Sequence, residues 1–405
     1  MTITGPMMMK KTTPLMASIL LCLAAGILAS CGNPEEEAAR SITAFMEESG
    51  TLGLAVAVVK DGRVVYTGSF GKRSTDKDTP LQDGDVFRIA SISKSYTTSA
   101  LLRLVEEGKI RLDDDVGDLV GFPVRNPLYP DIPITVKMLL SHSSSLNDSQ
   151  GYFNLDVLNP KTNPDYAKSY NDYEPGTEYE YCNLGFNTLG AIIEKISDVR
   201  FDNYVRDVVI NPLNLFASFN VDDLPGATFV PLYHPDTTGF SETGRIGFRH
   251  SQGVYGSPAP RIDAGYVMGY SAPMFSPTGG MKTSAMDLAR YMSVHMHYGV
   301  DPRTGVRILS EDNARLMQTP VVEVNEANQY GLALKRTTNL ISGEVMVGHT
   351  GSAYGLLSAM FFEPEKKFGF VVMTNGTTPD YRTYIDDYAP LQREVVRILY
   401  RVFIE

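Results

Sequence analysis

Strand-forming segments gather at the two ends of this chain and are missing from its middle, and that separation narrows the possible folds more than any other feature. Near the start, 52-LGLAVAVVKDGRVVYTGSFG-71 reads as a hairpin: an apolar strand, the turn Asp61-Gly62 and a second strand. Far downstream, 330-YGLALKR-336, 344-EVMVGH-349, 356-LLSAMFF-362 and 368-FGFVVMTN-375 read as further strands. A two-stranded piece is marginal in water, so the hairpin and the C-terminal strands need each other to complete a sheet. Helical spacing covers 35–48, 91–108, 135–142, 186–196, 283–297 and 390–402. The expected class is α/β plus α, an antiparallel β-sheet flanked by helices and built from both chain ends, with a mostly helical domain inserted. The corresponding boundaries are 35–110 and 281–405 for the α/β part and 111–280 for the helical part.

Within the insert, 146–175 accumulates Asn, Asp, Tyr and Pro with little periodicity, and 222–262 has the same texture. Loops of that length in compact domains usually carry function, and the aromatics favour a cleft wall. With 43% apolar and 20% charged residues the composition is that of a globular protein. A net charge of -11 without any Lys/Arg cluster repels phosphate backbones, which excludes nucleic acid as a partner. The His residues lack zinc-site spacing, so neither a metal nor a cofactor is expected. Cys22, Cys31 and Cys182 make no disulfide scaffold; Cys182 reads as a small buried side chain beside Tyr181 and not as a catalytic thiol.

Residues 1–31 read as a targeting segment that stands apart from the fold of 32–405. Lys10 and Lys11 form a basic flank, Leu15 to Leu28 is almost wholly apolar, and 28-LASC-31 closes the segment. That apolar run is shorter than the ~20 residues of a membrane span. The closing tetrapeptide resembles a bacterial lipobox, which implies a lipoprotein signal peptide, lipidation of Cys31 and a lipid bilayer as partner. The implied location is the bacterial cell envelope. Gly32 does not resemble an inner-membrane retention signal, and 35-EEE-37 resembles the export tag of some surface lipoproteins. Both favour the outer membrane, with its periplasmic and surface faces left open.

Three short segments carry chemistry: 91-SISK-94, 181-YCN-183 and 349-HTG-351. A serine hydroxyl is a poor nucleophile at neutral pH, so a neighbour must take its proton. On a helix Ser91 and Lys94 share one face. Lys94 can act as a base only where desolvation lowers its pKa, and the Tyr181 phenol only beside a positive charge. Either can move the proton, and the sequence does not divide the work. Asn183 offers a carboxamide to Lys94 or to a substrate amide. The run 348-GHTGSAYG-355 follows a strand, and its glycines let a substrate backbone come close. A peptide-like substrate can pair along that edge, with the N–H groups of Ser91 and Ser352 as an oxyanion hole. His349 can donate to a substrate carboxylate or relay a proton. Blander readings stand beside each of these: Ser91 as an N-cap, Lys94 as a surface charge, Tyr181 as core filler, Asn183 as a turn residue, His349 as a structural histidine. Taken together and in this order, the segments point to a serine hydrolase that forms an acyl-enzyme.

The surrounding sequence makes the resemblance specific. The stretch 87-FRIASISKSYTTSALLRLVEEGKIRLDDDV-116 resembles the nucleophile segment of the serine β-lactamase/penicillin-binding protein superfamily, nearest to class C β-lactamases and the DD-peptidase and esterase group. Further similarity lies in 139-LLSHSSSL-146, 175-PGTEYEYCNLGFNTLGAIIEKIS-197 and 277-PTGGMKTSAMDLARYM-292. The resemblance implies that Ser91 is acylated, that Lys94 and Tyr181 share proton transfer, and that Asn183 binds the substrate amide. It places His349, Thr350 and Gly351 at the substrate-lining third motif. Class C enzymes carry Lys-Thr-Gly there, so His349 lowers the expectation of efficient β-lactam hydrolysis. The expected activity is hydrolysis of an amide or ester of the cell envelope, with D-amino-acid peptides favoured. A small-ester hydrolase or weak class C-like β-lactamase stays open, as does a non-catalytic or slowly acylated penicillin-binding sensor. A small molecule or peptide is the expected substrate, and the oligomeric state is not legible.

Overall fold

The computed structural model describes residues 1–2, 33–240 and 246–405. The targeting segment with Cys31 therefore lies outside the described residues. Helix α1 (Pro34–Ser49) opens where the Asn33 side chain accepts the Glu35 N–H at 3.1 Å and Pro34 occupies the first turn. Glu35, Glu36 and Glu37 thus sit where a helix dipole favours negative charge. Strands β1 (Gly53–Lys60) and β2 (Arg63–Ser74) follow, joined by Asp61 and Gly62 at φ 51° and 74°. Positive φ at both positions gives the turn whose twist matches its strands.

The sheet adds a short edge strand β3 (Thr79–Pro80) and then β4 (Val322–Asn325), β5 (Asn328–Tyr330), β6 (Lys335–Thr337), β7 (Met346–Ala353), β8 (Leu356–Glu363) and β9 (Phe368–Thr374). Its order is β3-β2-β1-β9-β8-β7-β6-β5-β4, antiparallel throughout. Strand β1 pairs with β9 from Leu54–Thr374 to Lys60–Phe368, which sews the two chain ends together. Alternation along β1 sorts the faces. Leu54, Val56 and Val58 join one buried cluster, and Ala55, Ala57 and Val59 join the other.

Four further helices complete the frame: α2 (Ser93–Glu106), α3 (Asn183–Ser197), α4 (Ala285–Met296) and α5 (Pro390–Phe403). Helices α1 and α5 cover the Leu54 face through Ile42, Met46, Val395 and Leu399. The Ala55 face packs on Leu288 and Met292 of α4 and continues into the core that holds α2 and α3. Among the described residues no helix is long and apolar enough to cross a membrane.

Two sequence expectations change. The strand expected over 330–336 is interrupted: Ala333 has φ 60°, the Gly331 N–H donates to the Leu334 carbonyl at 2.8 Å, and β5 folds back on β6. Tertiary packing decides this, because Leu332, Ala333 and Leu334 are buried and the Ala333 N–H donates to the Leu140 carbonyl at 3.1 Å. The inserted region also contains a hairpin, Tyr233–Phe240 with Ile246–His250, inside a stretch that read as loop.

Candidate active site

Ser91 sits in a single 3₁₀ turn, Ala90–Ile92, immediately before α2. The turn is pinned from both sides. Upstream, Phe87–Arg88 pairs with Lys282–Thr283, and the Ile89 N–H donates to the Met281 carbonyl at 3.0 Å. From the sheet, Ser358 Oγ donates to the Ile89 carbonyl at 3.0 Å. Ala90 has φ 48°, a left-handed conformation that costs a non-glycine residue about 1–2 kcal/mol. This constraint presents the Ser91 hydroxyl to the cleft. A Cβ on Gly351 would stand 2.4 Å from the Ile89 carbonyl oxygen and 2.3 Å from Ser358 Oγ. Gly351 therefore allows the close approach of the protein's own nucleophile turn.

Helix α2 is buried along most of its length, and Lys94 is fully buried within it. Its Nζ lies 3.4 Å from Ser91 Oγ and donates to Asn183 Oδ1 at 2.9 Å and to the Thr278 carbonyl at 3.1 Å. The rings of Tyr181 and Phe186 face the ammonium at 4.5 and 5.4 Å from their centroids. It makes no ion pair among the described residues. Burial lowers its pKa from 10.5 to about 7, partly opposed by the negative charge of Asp148. Asp148 is the organiser that sequence reasoning missed. One carboxylate oxygen accepts the Asn183 N–H and Nδ2 at 3.0 and 2.8 Å, and the other accepts the Leu184 N–H at 2.9 Å. It thus caps α3 and turns Asn183 Oδ1 towards Lys94. Thr278, whose hydroxyl also donates to Asn183 Oδ1 at 2.6 Å, belongs to a quoted motif but had been given no role.

Tyr181 is half-buried with its hydroxyl oxygen enclosed, and that hydroxyl makes no hydrogen bond of good geometry among the described residues. Burial drives its pKa well above 10, with the nearby Ser91 hydroxyl acting in the opposite sense. The phenol is therefore protonated at neutral pH. His142 holds this segment: its Nδ1 accepts the Cys182 N–H at 3.1 Å, and its ring lies 4.3 Å from that of Tyr181. Cys182 is buried with its thiol 3.4 Å from Asp148, and burial raises its pKa.

His349 is 5% exposed, with both ring nitrogens engaged. Its Nδ1 meets the Thr350 carbonyl, so that nitrogen carries the hydrogen, and Nε2 accepts from the Tyr330 hydroxyl at 2.9 Å. Burial and the charge of Lys94 lower its pKa to about 3. It is a neutral wall group whose two ring nitrogens are both engaged within the protein.

Ser91, Tyr181, Asn183, Thr278 and His349 line a cleft of about 620 Å³. One wall is β7, which from His349 onward pairs only with β8 and shows its other edge to the cleft through Thr350, Ser352 and Ala353. The loop 146–175 supplies Tyr152 and Phe153 opposite. Lys335, missed by sequence reasoning because it lies in a strand outside the quoted motifs, stands at one end of the cleft, 3.5 Å from Asp387. Arg88 stands at the other, and its guanidinium lies 5.1 Å from the Tyr354 ring centroid.

Ser91, the buried Lys94, the Tyr181 phenol and an open strand edge thus come together beside one cleft on an antiparallel sheet, and it is the Beta-lactamase family that the chain matches. Residues 38–393 match that family, and the chain belongs to it. Among proteins it resembles, Protein flp of Staphylococcus aureus (strain N315) is 25% identical over 337 residues, and the match covers 80% of this chain. The chain spans 59% of the length of that relative. Penicillin-binding protein 4 of Amycolatopsis lactamdurans is 27% identical over 346 residues, covering 82% of this chain and 83% of that one. The solved octameric penicillin-binding protein homologue from Pyrococcus abyssi superposes with a TM-score of 0.67 at 26% identity, over 91% of this chain and 76% of that one.

Proposed function

We propose that this protein is a serine hydrolase of the cell envelope that cleaves an amide or ester through an acyl-enzyme at Ser91, with D-amino-acid peptides as the favoured substrates. The observation that carries the reading is the Lys94 amine, buried without a carboxylate partner, with a pKa of about 7 and 3.4 Å from the Ser91 hydroxyl. In its neutral form Lys94 takes the Ser91 proton as Oγ attacks the substrate carbonyl carbon. The resulting oxyanion sits between the N–H groups of Ser91 and Ser352. Collapse expels the amine or alcohol, protonated by Lys94 or by the high-pKa phenol of Tyr181, and water then releases the acyl group by the reverse path. The substrate chain lies along the open edge of β7 from Thr350 to Ala353. Its amide is met by Asn183, which Asp148 holds in place.

Labelling with a fluorescent penicillin, followed on gels and by intact mass, tests this reading. Label that turns over in the wild type and is lost in Ser91→Ala supports a hydrolase, whereas permanent label supports a sensor. Absence of both label and hydrolysis of D-Ala-D-Ala peptides and p-nitrophenyl esters refutes it. The same proposal anchors the protein in the outer membrane through a lipid on Cys31. Palmitate incorporation in the wild type and not in Cys31→Ala is the expected result, and equal incorporation refutes the anchor.

A further inference from the structure

Beyond Arg88 the cleft continues into a second cavity of about 250 Å³, which shares Arg88, Phe153, Ser276 and Tyr354 with it. Its wall includes three cations, Arg88, Lys282 and Arg261, and no Asp or Glu. Arg88 and Lys282 are direct cross-strand partners in the short pair that leads into the nucleophile turn. Like charges in that position repel one another, and natural strand pairs avoid them. Lys282 is 7% exposed, and its Nζ reaches only the Phe219 carbonyl, at 2.6 Å. Arg88 donates to the Gly279 carbonyl at 2.7 Å and to Ser276 Oγ at 3.3 Å, both of them neutral acceptors. None of the three cations forms an ion pair among the described residues. The acidic groups that act on Lys282, Asp202 and Asp222, do so without an ion pair to it: Asp202 is paired with Arg200, and Asp222 accepts the Ser257 hydroxyl. Burial and the facing Arg88 guanidinium lower the Lys282 pKa to about 7, so keeping both groups charged here is costly, and an anion placed between them relieves both terms.

We propose that this cavity is a carboxylate subsite, which receives an acidic side group of the substrate whose scissile carbonyl lies at Ser91. The inference rests on the acyl-enzyme reading and deepens it, since it makes the preferred substrate one that carries a carboxylate remote from the bond cleaved. A guanidinium fork beside an ammonium matches a carboxylate's two oxygens. The opposite end of the cleft offers no equal attraction, because Lys335 there is already paired with Asp387.

The test uses alkylboronic acids of graded length ending in a carboxylate, each compared with its methyl ester. The Ser91 oxygen adds to boron, the boron becomes a four-coordinate anion, and the serine proton passes to Lys94 or solvent. Calorimetric titration of the wild type should show the best carboxylate binding about tenfold or more tighter than its ester. That ratio should fall towards unity in Lys282→Gln and be reduced in Arg261→Gln. Equal affinities in the wild type, or a ratio unmoved in both variants, overturn the subsite. Arg261 is exposed, so its variant keeps the test decisive if Lys282→Gln fails to fold. Ser91→Ala separates the two claims: if both boronates bind it as they bind the wild type, the acyl-enzyme reading falls. If only the carboxylate advantage is missing from the wild type, the subsite alone falls.

Discussion

Replacing Lys94 with Met tests the proposed base through rate and stability at once. A fall in pKa from 10.5 to about 7 means that the site favours the neutral amine by roughly 5 kcal/mol. At pH 7 about half of the Lys94 side chains are free base, against roughly one in three thousand for an ordinary lysine. Wild-type acylation should therefore rise with pH and level off above about 7. The variant should acylate about 10²–10⁴-fold more slowly and lose that inflection. His349 and His295, lowered to about 3 and about 4, do not titrate in this range. Lys282 also falls to about 7, so an inflection that persists in Lys282→Gln and disappears in the Lys94 variant belongs to Lys94.

Stability moves in the opposite sense. Between about 7 and 10.5 the unfolded chain binds the Lys94 proton and the folded chain does not, so wild-type stability rises with pH across that window. Below it both states are protonated and the full penalty applies. Met fills the space without the charge, but it leaves the Thr278 carbonyl without its donor, which returns about 1–3 kcal/mol. The net gain at mildly acid pH is roughly 2–4 kcal/mol, read by denaturant titration. Penicillin labelling across pH supplies the rates. An inflection in the ordinary lysine range, a variant that acylates at the wild-type rate, or a variant that is less stable refutes the argument.

Tyr181→Phe should slow turnover by about 10²-fold or more while keeping the inflection near 7, since the phenol is a donor and not the group that titrates. Its thermal midpoint should barely change, because the hydroxyl makes no hydrogen bond of good geometry among the described residues. Asp148→Asn should cost about 1–2 kcal/mol through the weakened α3 cap. It should also move the acylation inflection to lower pH, because the carboxylate raises the pKa of Lys94; an upward move contradicts this. Gly351→Ala should destabilise by about 1–3 kcal/mol in urea, since the added Cβ meets the Ile89 carbonyl and Ser358 Oγ. A neutral outcome would show that β7 does not pack on the nucleophile turn as described.

The hairpin at 52–71, the helix from Ser93 and the paired strands at 356–375 were legible because their periodicity is local. Ser91 and Lys94 were legible for a related reason, being three residues apart at the start of a helix. Asp148 carried no such signal. It is one acid in a loop full of polar residues, and its importance comes from the end of α3, 35 residues away in sequence. The break at Ala333 was equally hidden, because its cause is a hydrogen bond to Leu140 and burial of the flanking leucines.

The sequence by itself determined the class of fold and the chemical parts: strands at both termini, a hydroxyl, an amine and a phenol in characteristic segments. Only the tertiary structure decided how tightly each group holds its proton. Burial of Lys94, which has no ion pair among the described residues, brings its pKa down to about 7, while the same dryness drives the Tyr181 phenol up. It also closes both nitrogens of His349. Desolvation is a property of what surrounds a group, and those surroundings are assembled from residues that are distant in the chain.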